Sequence, residues 1–190
     1  MFDLGRNDDS FLTGEGSVVL WVRADDVETK SQQGIFSKEG AGTPHGFTAL
    51  YFEDGSLCLS IENRMIFGLD RMYRVGADAF KDGDWHHVSY TFGANGARVY
   101  VDGVRVIYDF TYVLGLYHKF GSYEFINEEP WIIGGRNDTG TPTANLFGSV
   151  ARFAFIPVQL SGSEISDLMD GQLNARGFEV VQGSFERTVE

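Results

Sequence analysis

A chain of 190 residues, 43% hydrophobic and 14% aromatic, has the composition of a packed core and room for one domain rather than two. Fifteen basic against twenty-seven acidic residues give a net charge of −12 with no run of Lys and Arg, which argues against nucleic acid and anionic membrane as partners; the surplus carboxylates suit divalent cations, calcium above all, and also serve solubility. Cys58 is the single cysteine, so no intrachain disulfide supports the fold, and no apolar run approaches the roughly 18 residues of a membrane span.

In chain order, "SVVLWVRAD" (17–25) is a β-branched and aromatic run that predicts a strand buried on both faces. "GIFSKEG" (34–40) is a second short strand. "GFTALYFEDGSLCLSIEN" (46–63) gives two alternating segments joined at Glu53-Asp54-Gly55, where Asp-Gly marks a tight hairpin and Leu57, Leu59 and Ile61 should share a face. Beyond a mixed polar stretch, residues 82–110 supply three more strands in a meander, with turns at Ala94-Asn95-Gly96 and Asp102-Gly103. "PWIIGG" (130–135) and "LFGSVARFAFIPV" (146–158) are the last clear strands. One helix is expected, in "LSGSEISDLMDGQL" (160–173): Ser161 and Glu164 form a capping box, Ile165, Leu168 and Met169 share a face, and Gly171 ends it, the helix packing on a sheet edge or sandwich end. Short strands punctuated by 24 glycines predict an antiparallel sandwich, with 178–190 a last strand or linker. The stretch 113–130 is the longest irregular segment, and loops of that length are often functional.

Three stretches in this order, "GSVVLWVRAD", "DGDWHHVSYTFGANGARVYVDGVRV" and "EPWIIGGRND…LFGSVARFAFIPVQLSGSEI", resemble the laminin G-like, pentraxin-like group of concanavalin A-like jelly rolls. The resemblance implies an all-β jelly-roll sandwich of two antiparallel sheets with one short C-terminal helix over residues 1–177. It further implies calcium near a loop rim and a module that binds glycans or proteins, of a kind frequent in secreted or surface-attached bacterial proteins, adhesins and polysaccharide-degrading enzymes among them. Fold does not fix function, so each candidate site is weighed on its residues.

Adjacent residues on a strand point to opposite faces, so His86 and His87 are not placed to share a metal ion and read as structural, as does Asp102 in its turn. The alternating carboxylates of sandwich glycosidases are absent, and so are G-x-S-x-G, H-E-x-x-H and phosphate-loop motifs; no catalytic residue is assigned. For calcium, which takes about six to eight oxygens, the best oxygen clusters are Asn7-Asp8-Asp9, Asp25-Asp26 and Asn137-Asp138 with Thr139; Asp8, Asp9, Asn137 and Asp138 are the candidates, the last two also forming a good turn with Thr139. The tetrapeptide "GRND" occurs at 5–8 and again at 135–138, in different contexts, and the two copies are expected to meet around one ion rather than to be a repeated unit. For a glycan, aromatic faces stack on sugars while polar groups bond the hydroxyls. Tyr117, His118, Tyr123, Asn127 and Arg136 offer that mixture, unless the aromatic loop packs on its own sheet.

The expectation is a non-catalytic, calcium-associated carbohydrate-binding module of a secreted or cell-surface bacterial protein, joined to flanking domains and serving adhesion or polysaccharide targeting. A protein-interaction or spacer module of the same fold, with calcium only stiffening loops, is the alternative, and a polysaccharide-active enzyme domain ranks third.

Overall fold

The computed structural model describes residues 2–3, 15–38, 47–62, 71–93, 96–109, 112–113, 116–117, 131–136 and 144–170. Two antiparallel sheets are stacked. The first contains β1 (Phe2–Asp3), β3 (Gln33–Lys38), β4 (Phe47–Glu53), β5 (Ser56–Glu62), β6 (Arg71–Gly76) and β12 (Ile132–Ile133), in the order β1-β12-β3-β4-β5-β6. The second contains β2 (Gly16–Ala24), β7 (His86–Phe92), β8 (Ala97–Val101), β9 (Val104–Asp109) and β13 (Gly148–Ile156), in the order β13-β2-β7-β8-β9. A separate two-stranded ribbon pairs β10 (Tyr112–Val113) with β11 (Leu116–Tyr117). This is the jelly-roll sandwich that the sequence predicts.

The hairpins follow from their turn residues. Asp54 (φ 50°) and Gly55 (φ 71°) join β4 to β5, and Asp102 (φ 48°) and Gly103 (φ 75°) join β8 to β9. Positive φ at both central positions is the two-residue turn whose twist matches the flanking strands. Leu57, Leu59 and Ile61 do share one face, buried against Leu50 and Phe52 of β4 and the rest of the core.

Period-two alternation sends Val18, Leu20, Val22 and Ala24 of β2 and Val88, Tyr90 and Phe92 of β7 inward to meet the inner face of the six-stranded sheet. Aromatic rings bridge the layers: Phe36 lies 5.7 Å from Tyr90 and 6.0 Å from Trp131, and Trp131 lies 6.0 Å from Phe155. Tilted pairs at these separations gain beyond their buried area.

Three features depart from expectation. Residues 71–76, read as part of a mixed polar stretch, form edge strand β6: Tyr73 and Val75 pack on the core while Met72 and Arg74 point out, so two arginines masked the alternation. A 3-10 helix over Asp78–Asp82 then carries the chain from one sheet to the other. The α-helix, α1 (Gly162–Met169), has the expected capping box at Ser161 and Glu164, but it lies across the outer face of the five-stranded sheet. There Ile165, Leu160, Val158 and Leu168 cluster with Val19, Tyr100, Ala154 and Ile156. Ser17 fixes its approach, its hydroxyl donating to the Val158 carbonyl (2.8 Å) and accepting from the Leu160 amide (2.9 Å). Among the described residues no helix is long and apolar enough to cross a membrane.

Candidate functional site

The outer face of the six-stranded sheet carries a polar cluster. Strand register sets Gly34, Tyr51, Cys58 and Arg74 side by side across β3, β4, β5 and β6. Gly34 leaves its place in that row open. A Cβ there would stand 2.2 Å from the carbonyl carbon and oxygen of Gly135 and 2.6 Å from the Arg136 nitrogen, so the missing side chain lets the chain after β12 cross the sheet closely. Hydrogen bonds from the Gly134 amide to Ile35 and from the Gly34 amide to Ala144 hold that crossing.

The crossing delivers Arg136, whose guanidinium carbon lies 4.6 Å from the centre of the Tyr51 ring. A guanidinium over an aromatic ring is attracted to its face and keeps N–H groups for hydrogen bonds. Arg136 donates to the side-chain carbonyl of Gln32, Gln32 donates to Glu53 at 3.2 Å, and Glu53 pairs with Arg74. Among the described residues the Glu53 carboxylate thus joins two guanidiniums, Arg74 directly and Arg136 through Gln32. The cluster is graded in depth: Tyr51 and Cys58 are buried, Arg136 is 6% exposed, and the Arg74 side chain is 45% exposed at the sheet edge.

Burial pushes the Tyr51 phenol up, with Cys58 adding to the rise and Arg136 opposing it. Burial likewise pushes the Cys58 thiol up against the pull of Arg74, so Cys58 stays a neutral thiol rather than a nucleophile. The Tyr51 hydroxyl is buried and has no hydrogen-bond partner among the described residues. An unmet buried hydroxyl costs about 1–3 kcal/mol.

The five-stranded sheet holds the two histidines. Their rings point to opposite faces: His86 meets Phe80 at 5.1 Å, and His87 meets Trp21 on the outer face at 5.5 Å. Burial lowers the His87 pKa, with Asp102 opposing weakly. For His86 burial would also lower it, but its hydrogen bonds to the Asp102 and Asp82 carboxylates outweigh that and the net direction is up. Asp102 closes its turn by accepting from the His87 amide (2.8 Å) and bonding His86 Nδ1 (2.7 Å).

Of the residues nominated from sequence, Arg136 belongs to the polar cluster. Tyr117 lies on β11, its backbone opposite Tyr112. His118, Tyr123 and Asn127, and the calcium candidates Asp8, Asp9, Asn137 and Asp138, lie outside the described residues. Among the described residues no three His, Cys, Asp or Glu side chains are grouped to hold a metal, so none of them is assigned to calcium. Sequence reading passed over Tyr51, Gln32, Glu53 and Arg74. The alternation in "ALYFED" does place Tyr51 and Glu53 opposite Leu50 and Phe52, a usable signal for an outward polar pair.

Solved structures share this architecture. The CBM40 of Ruminococcus gnavus IT-sialidase, bound to alpha2,3 sialyllactose, superposes with a TM-score of 0.63 at 16% identity over 88% of this chain and 95% of that one. The same module bound to alpha2,6 sialyllactose gives 0.60 at 15% identity over 88% and 95%. The botulinum neurotoxin serotype D binding domain gives 0.59 at 13% identity, covering 87% of this chain and 38% of that one. At such identities the likeness concerns the fold. No curated protein sequence matches the chain. The family model of the concanavalin A-like lectin/glucanases superfamily matches residues 4–166, and to that family the chain belongs.

Proposed function

We propose that this chain is a non-catalytic glycan-binding module that reads its ligand on the outer face of the six-stranded sheet. Arg74, Glu53 and Gln32 form the accessible rim, and Arg136 stacked on Tyr51 forms the backing. The observation that carries this reading is the buried Tyr51 hydroxyl, without a hydrogen-bond partner among the described residues, on a ring that lies under the Arg136 guanidinium. A few directed polar groups at a rim, Arg74, Glu53 and Gln32, over buried neighbours of Tyr51 such as Ala49 and Cys58 are the chemistry by which sugar hydroxyls are oriented. The module of a sialidase bound to sialyllactose, alike in fold, supports a glycan as the ligand class.

Calcium at Asp8, Asp9, Asn137 and Asp138, a secreted or cell-surface location, flanking domains, and service in adhesion or polysaccharide targeting belong to the same proposal. The deciding experiment is a glycan array run with and without a chelator, followed by titration calorimetry on the best ligand. Wild-type protein is expected to bind, and Arg74→Ala to bind at least tenfold more weakly. No glycan signal in either condition, beside a calcium-dependent rise in melting temperature, would overturn the reading in favour of a protein-interaction or spacer module.

A further inference from the structure

The imidazole of His86 has a carboxylate at each nitrogen. Nδ1 lies 2.7 Å from Asp102 Oδ2 and Nε2 lies 3.0 Å from Asp82 Oδ1, while the side chain is only 11% exposed. A neutral imidazole carries one N–H, and a carboxylate only accepts, so both contacts are hydrogen bonds only when the ring is protonated. Once the proton leaves, one nitrogen lone pair faces a carboxylate.

The three residues come from different parts of the sandwich. Asp82 ends the 3-10 helix that crosses from β6 to β7, His86 opens β7, and Asp102 sits in the β8–β9 turn. Phe80, in the same crossing, packs edge-on against His86 and, at 4.8 Å, against Phe52 of the six-stranded sheet. Beside it a cleft of about 280 Å³ opens between the sheets, lined by Leu57 and Val75 from one and Val101 and Val106 from the other, with Phe80 and Asp102 in its wall.

We propose that His86 is a proton-operated latch: protonated, it ties the sheet-to-sheet crossing to the β8–β9 turn; deprotonated, it releases Asp82 and loosens Phe80 from the wall of the cleft. Asp82 is the partner released, because Asp102 is nearer, at 2.7 Å against 3.0 Å, and its side chain is the less exposed of the two. Among the described residues Asp82 and Asp102 are the charged groups facing the ring. Of their neighbours, Asp84 gives its backbone amide to Asp82 (2.9 Å), and Lys81 turns away to Glu28 (2.6 Å) and Asp78 (2.8 Å). His87 lies on the opposite face of β7, and the residue opposite His86 on β2 is the uncharged Val22.

The direction of the effect follows from proton linkage. The folded state holds the His86 proton more tightly than the unfolded chain does, so the latch contributes fully below the unfolded histidine value near ~6.5 and is lost as pH rises through the folded value. At the acid end Asp82, its carboxyl held low by the His86 hydrogen bond, keeps its half of the latch until pH falls through its own folded value.

The test is a histidine-ring NMR titration of the intact chain, with denaturant unfolding at each pH. His86 is expected to titrate above free histidine, with the unfolding constant rising up to about tenfold per pH unit across that window. Amides of 81–84 are expected to lose exchange protection, after correction for intrinsic rates, over the same range. Asp82→Asn, an exposed position that leaves the fold intact, should lower the His86 value and flatten both pH dependences. Titration of His86 at or below the free value, or a window unchanged in Asp82→Asn, would overturn the latch.

Discussion

The two outer faces of the sandwich obey the same alternation and are used in opposite ways. On the five-stranded sheet, Val19, Tyr100, Ala154 and Ile156 receive the apolar side of α1, and the face is closed by packing. On the six-stranded sheet, the equivalent positions are Gly34, Tyr51, Cys58 and Arg74, joined to Arg136, Gln32 and Glu53 by hydrogen bonds, stacking and charge. An apolar face gains stability by being covered, whereas a face that keeps an unpaired buried hydroxyl gives some up, and such losses gather where a ligand is met.

The contrast can be broken from either side. Ile165→Ala removes the buried centre of the helix contact and should cost ~2–5 kcal/mol by denaturant unfolding while glycan affinity, measured on the folded fraction, stays put. Gly34→Ala acts on the other face. Its methyl has no room against the Gly135 backbone, so a loss of ~1–3 kcal/mol is expected together with displacement of Arg136 and weaker glycan binding. Removing the helix cap by Ser161→Ala should cost about 1 kcal/mol and again spare binding. The smallest stability effect has the reverse sign. Tyr51→Phe deletes a buried hydroxyl that has no hydrogen-bond partner among the described residues, so thermal stability should hold or rise by up to ~1 kcal/mol. Ligand affinity should fall at the same time; a variant as tight as wild type would move the site off this face.

What could be read from the sequence was local. Asp54-Gly55 and Asp102-Gly103 announced their hairpins because a two-residue turn with positive φ at both positions has few solutions. Ser161 and Glu164 announced the helix because their side chains, at this spacing, accept from each other's backbone amides and satisfy donors that a helix start leaves open. Adjacent His86 and His87 could be sent to opposite faces from the pleat alone. The polar cluster was hidden because it is built from residues distant along the chain: Gly34 matters only because Gly135 crosses it, and Tyr51 only because Arg136 then lands on its ring. Edge strand β6 was missed because an edge tolerates arginines that a central strand would not. The covering helix was recognised, but which surface it covered depended on where β2, β8 and β13 come together.

The meeting of β2 with β13 has a consequence for how the domain is made. Their register runs from Ala24 opposite Gly148 to Ser17 opposite Ile156, so one of the first strands waits for one of the last. Contacts this far apart in sequence slow folding, because the intervening chain must be ordered before they form. During synthesis β2 can pair with β7, yet its other edge stays open until β13 leaves the ribosome. For most of its elongation the nascent chain carries an unpaired, strongly apolar strand edge, the feature that invites pairing with other chains. Completion of β13 is therefore the step at which the open edge of β2 is covered and moved to the centre of its sheet.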